Sequence, residues 1–185
     1  MCGLKTNERA IRLSQIETIN RPGTHKMVAA ATSFLSDPGC ILTLHGGPGN
    51  AKSSILMAVV NQCIESGIDA VYTTFADLEG FVRAAFDEKR QDEFGTARQR
   101  IARLSEVCVL AIDEFDKVKV TAWLDELRFD LLDKRYRSAI ARETGTLLAM
   151  NCDPRGLPEW IASRLYDGRN VVVHNTDSDM RSMMK

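Results

Sequence analysis

The stretch that most constrains the fold is an apolar run, a glycine-rich loop and an amphipathic run in direct succession. The apolar run is Ile41–Leu44, the loop is His45–Ser54 with the sequence HGGPGNAKSS, and the amphipathic run spans 55–64. This order predicts a strand, a loop and a helix, the context in which a G-x-x-x-x-G-K-[ST] motif is credible. The loop N–H groups and the helix N-terminus then converge on one place and bind phosphate. A turn that merely joins strand to helix is the alternative, but it does not require Lys-Ser at the helix start.

The loop predicts how a nucleotide would be held. Lys52 is expected to reach the β- and γ-phosphates of ATP, and Ser53 to coordinate Mg²⁺. Ala51 stands where the motif has glycine. If the backbone there needs a positive φ, alanine adds roughly 1 kcal/mol of strain, so we expect weakened rather than lost binding. The residues predicted to bind nucleotide are Gly46, Gly47, Pro48, Gly49, Asn50, Ala51, Lys52, Ser53 and Ser54.

Composition favours one domain in a reducing compartment. With 185 residues and 44% hydrophobic content, the chain can bury one sizeable core. Its net charge of −1 provides no general basic field for nucleic acid, so such a contact would need a local patch. The five cysteines include no C-x-x-C pair, which argues against a disulfide framework and a zinc site. The longest apolar runs are far shorter than the ~20 residues of a membrane span, and no apolar signal region opens the chain. A cytoplasmic location is predicted.

Apolar periodicity predicts alternating helices and strands after a lead-in segment at 1–22. Such alternation indicates a parallel sheet with right-handed crossovers in a core at 23–185. The predicted helices are 23–36, 55–64, 78–86, 123–138 and 159–165, and the predicted strands are 41–44, 70–74, 107–112, 146–150 and 171–174.

Polar side chains follow two of the buried strands. Asp113 and Glu114 come directly after the third strand, and Asn151 follows the fourth. Ligands of open α/β sheets bind at the carboxyl edge of the strands, where P-loop enzymes place a magnesium-associated Asp and a water-activating Glu. The Asn151 amide can hydrogen-bond the γ-phosphate or the attacking water. Solvated carboxylates and ordinary turn chemistry are the alternatives.

Two groups of basic residues allow more than one interpretation. The stretch 87–103 contains Lys89, Arg90, Arg98, Arg100 and Arg103 among acidic residues, which is typical of a solvated surface but also suits contact with a nucleic-acid backbone. Near the end of the helix at 123–138, Lys134, Arg135 and Arg137 are explained by the helix dipole alone.

The order of these features resembles the core of AAA+ ATPases, and within them the DnaC/IstB group of replicative-helicase loaders and transposition helpers, including phage-encoded relatives. The resemblance covers roughly 20–185. It implies a P-loop NTPase three-layer sandwich with strand order 5-1-4-3-2 and no helical lid. Carried across, Lys52 and Ser53 match Walker A, Asp113 and Glu114 match Walker B, and Asn151 matches sensor 1. Two further matches are Arg164 with the arginine-finger box and Asp179-Met180-Arg181 with the closing acidic-x-Arg signature.

The resemblance implies an ATPase that uses ATP and Mg²⁺, forms a homo-oligomer and acts on DNA, with a replicative helicase or a transposase as partner and single-stranded DNA as substrate. Loaders also carry an N-terminal module that grips the helicase, whereas about twenty residues precede the core here. A nucleotide-gated binding module with little turnover is the main alternative, and Ala51 favours it. A small-molecule kinase would need a lid or acceptor-binding insertion, which the sequence does not show.

Overall fold

The computed structural model of the protein describes residues 2–86, 99, 101–117 and 121–180. The predicted residues that lie outside this part of the chain are Lys89, Arg90, Arg98, Arg100 and Arg181. The DNA contact considered for 87–103 therefore stays a prediction. Arg103 is described, and its guanidinium donates to Asp69 Oδ1 at 3.4 Å.

Five parallel strands form one sheet in the order β2-β3-β4-β1-β5. This is the predicted order 5-1-4-3-2 read from the other edge, so the predicted topology is confirmed. The register pairs Gly46 with Asn175 and Thr74 with Asp113, which brings the carboxyl ends of the strands to one edge. The strands are β1 (Ile41–Gly46), β2 (Ala70–Thr74), β3 (Val109–Asp113), β4 (Gly145–Met150) and β5 (Val171–Asn175).

The helices connect the strands and cover both faces of the sheet. Short helical turns lie at 8–10, 13–15 and 154–156, and a helical stretch at 101–106 precedes β3. That stretch ends where Val107 N donates to Arg103 O, so β3 begins two residues later than the apolar run predicted. The longer helices are α1 (Pro22–Ser36), α2 (Lys52–Glu65), α3 (Phe75–Phe86), α4 (Ala122–Ile140) and α5 (Glu159–Leu165).

Side chains of alternate strand residues pack into two separate hydrophobic cores, one on each face of the sheet, as expected for a sheet that is buried on both faces. Leu42 and Leu44 of β1 pack with α1 and α2. Ile41, one residue earlier, packs on the other face with side chains of α4 and α5. The first of these cores fixes α2, which carries the end of the glycine loop, against the sheet. In the part of the chain that the structure describes, no helix is both long and apolar enough to cross a bilayer.

The lead-in segment packs against the sheet edge and α2. Cys2 O accepts a hydrogen bond from Tyr72 N at 2.9 Å, and Leu4 is buried in the core. Asn61 Nδ2 of α2 donates to the carbonyl oxygens of Glu8 and Ile11 at 2.8 and 3.0 Å. These contacts attach the segment to β2 and α2 along much of its length.

Arg135 differs from the expectation of a cation that merely suits the end of its helix. Its side chain is fully buried at 0% exposure. The guanidinium donates to Val107 O, Gly145 O and, at 2.9 Å, Thr146 Oγ1. Burial lowers the pKa of Arg135 to about 10, so it stays charged at neutral pH. It therefore joins the segment before β3 to the start of β4.

Candidate functional site

The glycine loop has the backbone that its sequence predicts. Gly46, Gly49 and Ala51 have φ values of 137°, 67° and 66°. With a ψ of 7°, Ala51 is in the left-handed region, where a Cβ costs roughly 1–2 kcal/mol. Apart from Gly47 and its two chain neighbours, no heavy atom of the described residues lies within 4 Å of the Cβ position that Gly47 lacks. The loop is thus open at Gly47, and the strain foreseen at Ala51 is present.

Lys52 begins α2 and directs its ammonium back across the loop. Nζ donates to Gly46 O at 2.8 Å, to Gly47 O at 2.7 Å and to Asn50 Oδ1 at 2.8 Å, and the residue is only 8% exposed. Asn50 is itself anchored to the end of β5, because its carbonyl oxygen accepts from Asn175 Nδ2 at 3.3 Å. The loop therefore holds a buried cation at the N-terminus of α2.

Asp113 ends β3 with its carboxylate fixed by two donors. Oδ1 accepts from Glu114 N and Oδ2 accepts from the Tyr72 hydroxyl, both at 2.8 Å. Burial, together with the charge and hydrogen bond of Asp113, raises the pKa of Tyr72, so the phenol remains a donor. An ionised carboxylate offers about four lone-pair sites. Asp113 therefore keeps acceptor capacity for a cation or its water ligands.

Glu114 follows with an unusual backbone and a cation on its carboxylate. Its φ is 54°, a strained value for a residue with a side chain, of the kind found at functional sites. The carboxylate forms an ion pair with Lys117, three residues later. This hydrogen bond raises the pKa of Lys117. The expected general base is thus paired with an ammonium in this conformation.

Asp116 connects the loop after β3 to the loop after β4. Its Oδ2 accepts from the backbone N–H groups of Asn151 and Cys152 at 2.9 and 2.8 Å. Phe115 N donates to Ala149 O at 3.0 Å nearby. These bonds place Asn151 beside the Asp113-Glu114 pair.

The residues after β5 close over the other side of the glycine loop. Met180 N donates to Gly49 O at 2.9 Å. A Cβ at Gly49 would lie 1.6 Å from Asp179 Oδ1, so this close approach requires glycine. Asp177 caps α1 by accepting from Gly23 N at 3.1 Å and Thr24 N at 2.7 Å. The segment therefore joins α1 to the loop.

The loop and the strand ends enclose a cavity of about 310 Å³. Its donors suit a polyphosphate, because Lys52 supplies a cation and the start of α2 supplies N–H groups without intrahelical acceptors. Among the described residues, no three His, Cys, Asp or Glu side chains form a metal-binding group. Mg²⁺ commonly binds with one or two carboxylates plus substrate phosphates, so Asp113 and the exposed Ser53 fit that ion together with a nucleotide. The cavity is lined by Pro48, Gly49, Asn50, Ala51, Lys52, Ser53, Ser54, Asp113, Glu114, Asp116, Lys117, Ala149, Met150, Asn151 and Met180.

Arg164 does not line this cavity. Its guanidinium donates to Asp133 Oδ1 of α4 at 2.6 Å and to Trp160 O at 2.7 Å, and it lies 5.3 Å from the centre of the Phe129 ring. The acidic residues nearest to Arg164 in the sequence, Glu159 and Asp167, would be the obvious ion-pair partners, but Arg164 pairs with neither of them. The actual partner comes from a preceding helix, which proximity in sequence does not reveal.

Several residues at the site were missed from the sequence. Tyr72 lies inside the predicted strand 70–74, where no sequence signal marks it as part of the site. Asp116 and Lys117 follow closely after the predicted carboxylates Asp113 and Glu114 but were not among the predicted site residues. Asn175 and Asp177 both lie after the predicted end of the last strand at residue 174, and neither was predicted as a site residue. The signal available was position: polar residues just after a predicted parallel strand lie at the edge where ligands bind.

A family model for the IstB-like ATP binding protein matches residues 22–148. The match includes the glycine loop and the Asp113-Glu114 pair and covers more than half of the chain. No curated protein matches the sequence.

Solved structures share the fold at low sequence identity. A DnaI crystal structure is 17% identical with a TM-score of 0.74, and the match covers 94% of this chain and 95% of that one. A DnaC helicase loader is 17% identical with a TM-score of 0.73, covering 93% and 100%. Domain III of DnaA from Thermotoga maritima is 17% identical with a TM-score of 0.75, covering 97% and 71%.

Larger replication initiators also match. DnaA bound to AMPPCP and single-stranded DNA is 17% identical with a TM-score of 0.72 over 91% of this chain. The chain spans about half the length of these initiators, at 50% to 52%. Taken with the sheet order and the phosphate-loop cavity, the family match shows that the chain belongs to the IstB-like ATP-binding proteins and has the AAA+ P-loop fold.

Proposed function

We propose that the protein is a Mg-ATP-dependent ATPase that assembles with further copies of itself on DNA and acts as a replicative-helicase loader or a transposition helper. The observation that carries the ATPase part of this proposal is one cavity lined by Lys52, Asp113, Glu114 and Asn151. Phosphate binding, stabilisation of the charge on the transferred phosphoryl group and activation of the attacking water each need one of these groups. The family and the AMPPCP-bound DnaA structure support ATP as the nucleotide.

Each residue has a distinct task in this proposal. Lys52 and the first N–H groups of α2 bind the phosphates, and Ser53 with Asp113 holds Mg²⁺, whose contribution when bound is to neutralise charge on the transferred phosphoryl group. The ion pair between Glu114 and Lys117 must break first. The free Glu114 carboxylate then accepts the proton of the attacking water. Asn151 hydrogen-bonds that water or the γ-phosphate.

The proposed partners rest on similarity of fold to proteins whose names state their roles. One similar structure is a DnaC helicase loader, and another is DnaA bound to single-stranded DNA. At 17% identity this similarity supports the partner class only by analogy. Single-stranded DNA and a replicative helicase or a transposase are therefore the partners to test first.

ATP hydrolysis by the purified chain, measured with and without single-stranded DNA, tests the proposal. We expect Lys52→Ala to abolish nucleotide binding, because it removes the cation that faces the phosphates. Glu114→Gln should still bind ATP and fail to turn it over, since it keeps the size of the side chain and loses the base. Tight ATP binding by Lys52→Ala, or parental turnover by Glu114→Gln, would contradict the assigned roles.

A nucleotide-gated binding module is the second candidate, and the Glu114–Lys117 ion pair favours it. A carboxylate that stays paired with an ammonium is a poor base, so ATP would be bound without being hydrolysed. In that case steady-state turnover stays at background with or without DNA, while affinity for a partner still changes on ATP binding.

A further inference from the structure

Tyr72 connects the edge of the sheet to the candidate metal site. It lies in the middle of β2, an edge strand, in register with Ala111 of β3. From there its hydroxyl reaches Asp113, two residues further along β3, and donates to Oδ2 at 2.8 Å. Tyr72 is 7% exposed and Asp113 is 5% exposed, so water competes little for this hydrogen bond.

The two oxygens of Asp113 have different donors, and this fixes the orientation of the carboxylate. Oδ1 is held by Glu114 N at 2.8 Å, a donor within the same loop. Oδ2 is held by Tyr72, which belongs to a different strand. Rotation of the carboxylate would break one or both bonds. The Tyr72 bond therefore orients the remaining lone pairs of Asp113.

The lead-in segment holds the backbone of Tyr72 from the outer side of the sheet. Tyr72 N donates to Cys2 O at 2.9 Å. Gly3 has a φ of 79°, and a Cβ there would lie 1.8 Å from Tyr72 O. Leu4, next in the chain, is buried in the core. Tyr72 is thus fixed by β3 on one side and by residues 2–4 on the other.

We propose that Tyr72 is the positioning residue for the magnesium-associated carboxylate of Asp113, and that residues 2–4 hold Tyr72 in place for this role. This inference rests on the proposed function, because it assigns Asp113 to Mg²⁺. Groups that orient a metal ligand affect metal affinity strongly, typically by 10–100-fold. The lead-in segment thereby contributes to cation binding without contacting the cation.

A Mg²⁺ titration of nucleotide binding tests the proposal in the Tyr72→Phe variant. Binding of a fluorescent ATP analogue is measured in EDTA and at increasing Mg²⁺. We expect the half-saturating Mg²⁺ concentration to rise about tenfold or more, while the affinity in EDTA stays near the parental value. General damage to the fold would instead lower the affinity in EDTA as well.

Tyr136→Phe is the matched control. The Tyr136 hydroxyl also donates to a carboxylate, Asp167 Oδ2, at 2.7 Å, but neither residue lines the cavity. We expect this variant to keep the parental Mg²⁺ dependence. Asp113→Asn gives the reference for a lost magnesium-associated carboxylate.

Gly3→Ala tests whether residues 2–4 position Tyr72, because the added Cβ would press on the Tyr72 backbone from outside the site. This second variant also keeps the proposal testable if Tyr72→Phe folds poorly. It should raise the half-saturating Mg²⁺ concentration in the same direction, by about twofold or more. Parental Mg²⁺ dependence in folded Tyr72→Phe would overturn the role of Tyr72, and in Gly3→Ala it would overturn the role of residues 2–4. A parent protein that binds the analogue equally well in EDTA and in Mg²⁺ would remove the Asp113 assignment, and the inference with it.

Discussion

At the scale of single residues, the site contains two side chains on a left-handed backbone. Ala51 has a φ of 66° and Glu114 a φ of 54°. Such conformations cost about 1–3 kcal/mol each and cluster at functional sites. One residue ends the phosphate loop and the other is the expected base, so the strain lies where binding and chemistry are assigned.

Ala51→Gly should raise stability. Glycine adopts this φ without a Cβ penalty, and the relief of roughly 1–2 kcal/mol exceeds the roughly 0.4–1 kcal/mol that glycine costs by adding entropy to the unfolded chain. The sequence alone suggested that Ala51 weakens ATP binding. Because the strain is present without nucleotide, it need not change on binding, so we now expect Ala51→Gly to leave ATP affinity near the parental value. Urea unfolding and a nucleotide titration measure the two effects. Lower stability of the variant would show that position 51 does not need a left-handed backbone.

At the scale of elements, a remote segment caps the first helix. The cap residue of α1, Arg21, makes no side-chain cap of its own. Asp177 does so instead, accepting from Gly23 N and Thr24 N and from Thr24 Oγ1 at 2.8 Å. Although burial opposes the shift, the hydrogen bonds from Thr24 and Gly23 lower the pKa of Asp177 below its usual value of 3.8.

Asp177→Asn should therefore destabilise the protein in a pH-dependent way. A carboxyl group whose folded pKa lies below its unfolded pKa stabilises the fold above the unfolded value, and this contribution is lost as the pH falls through the folded value. We expect a loss of about 1 kcal/mol at pH 7, typical of a lost cap. The difference from the parent should shrink below about pH 4.

Denaturant unfolding of both proteins across this pH range measures the effect. Asp130→Asn is the control, because Asp130 is exposed and should show little change. A parent-to-variant difference that stays constant down to pH 3 would show that the charge of Asp177 is not what stabilises α1.

At the scale of the whole molecule, Arg164 is the predicted catalytic residue that lies outside the candidate nucleotide cavity. The cavity contains Lys52 and Glu114 but not Arg164, which is held by Asp133 on α4. The family resemblance assigns Arg164 to the γ-phosphate of a neighbouring subunit. A cation supplied in trans can be worth about 10³-fold or more in rate. The pairing with Asp133 would then hold the guanidinium until subunits meet.

A mixing experiment separates catalysis in trans from a structural ion pair. Arg164→Ala subunits should bind ATP normally and hydrolyse it poorly. Adding Lys52→Ala subunits, which keep Arg164, should restore part of the activity. Sizing with a non-hydrolysable analogue verifies that the variants co-assemble. Absence of rescue in co-assembled mixtures, or full activity of Arg164→Ala alone, would leave Arg164 with its structural role.

The sequence by itself determined most of the helices and strands, and it determined that the strands form a parallel sheet. Period-two and helical patterns depend on neighbours a few residues apart, so strands such as 70–74 and helices such as 159–165 could be predicted closely. The phosphate loop could also be predicted, because Lys52 and the loop backbone act within one short segment. Asp113 and Glu114 were found since both follow directly from a buried strand.

Only the tertiary structure decided which remote groups support that site. Tyr72 of β2 reaches Asp113 of the neighbouring strand β3. Asp177 caps a helix more than 150 residues earlier, and Arg135 joins segments on either side of α4. The predicted elements leave such pairings open, because a strand residue or a polar residue after a strand has many available partners until the register and the packing are fixed. Hydrogen bonds form only at distances of about 3 Å, so the register of β2 on β3 and the path of the chain after β5 determined these contacts.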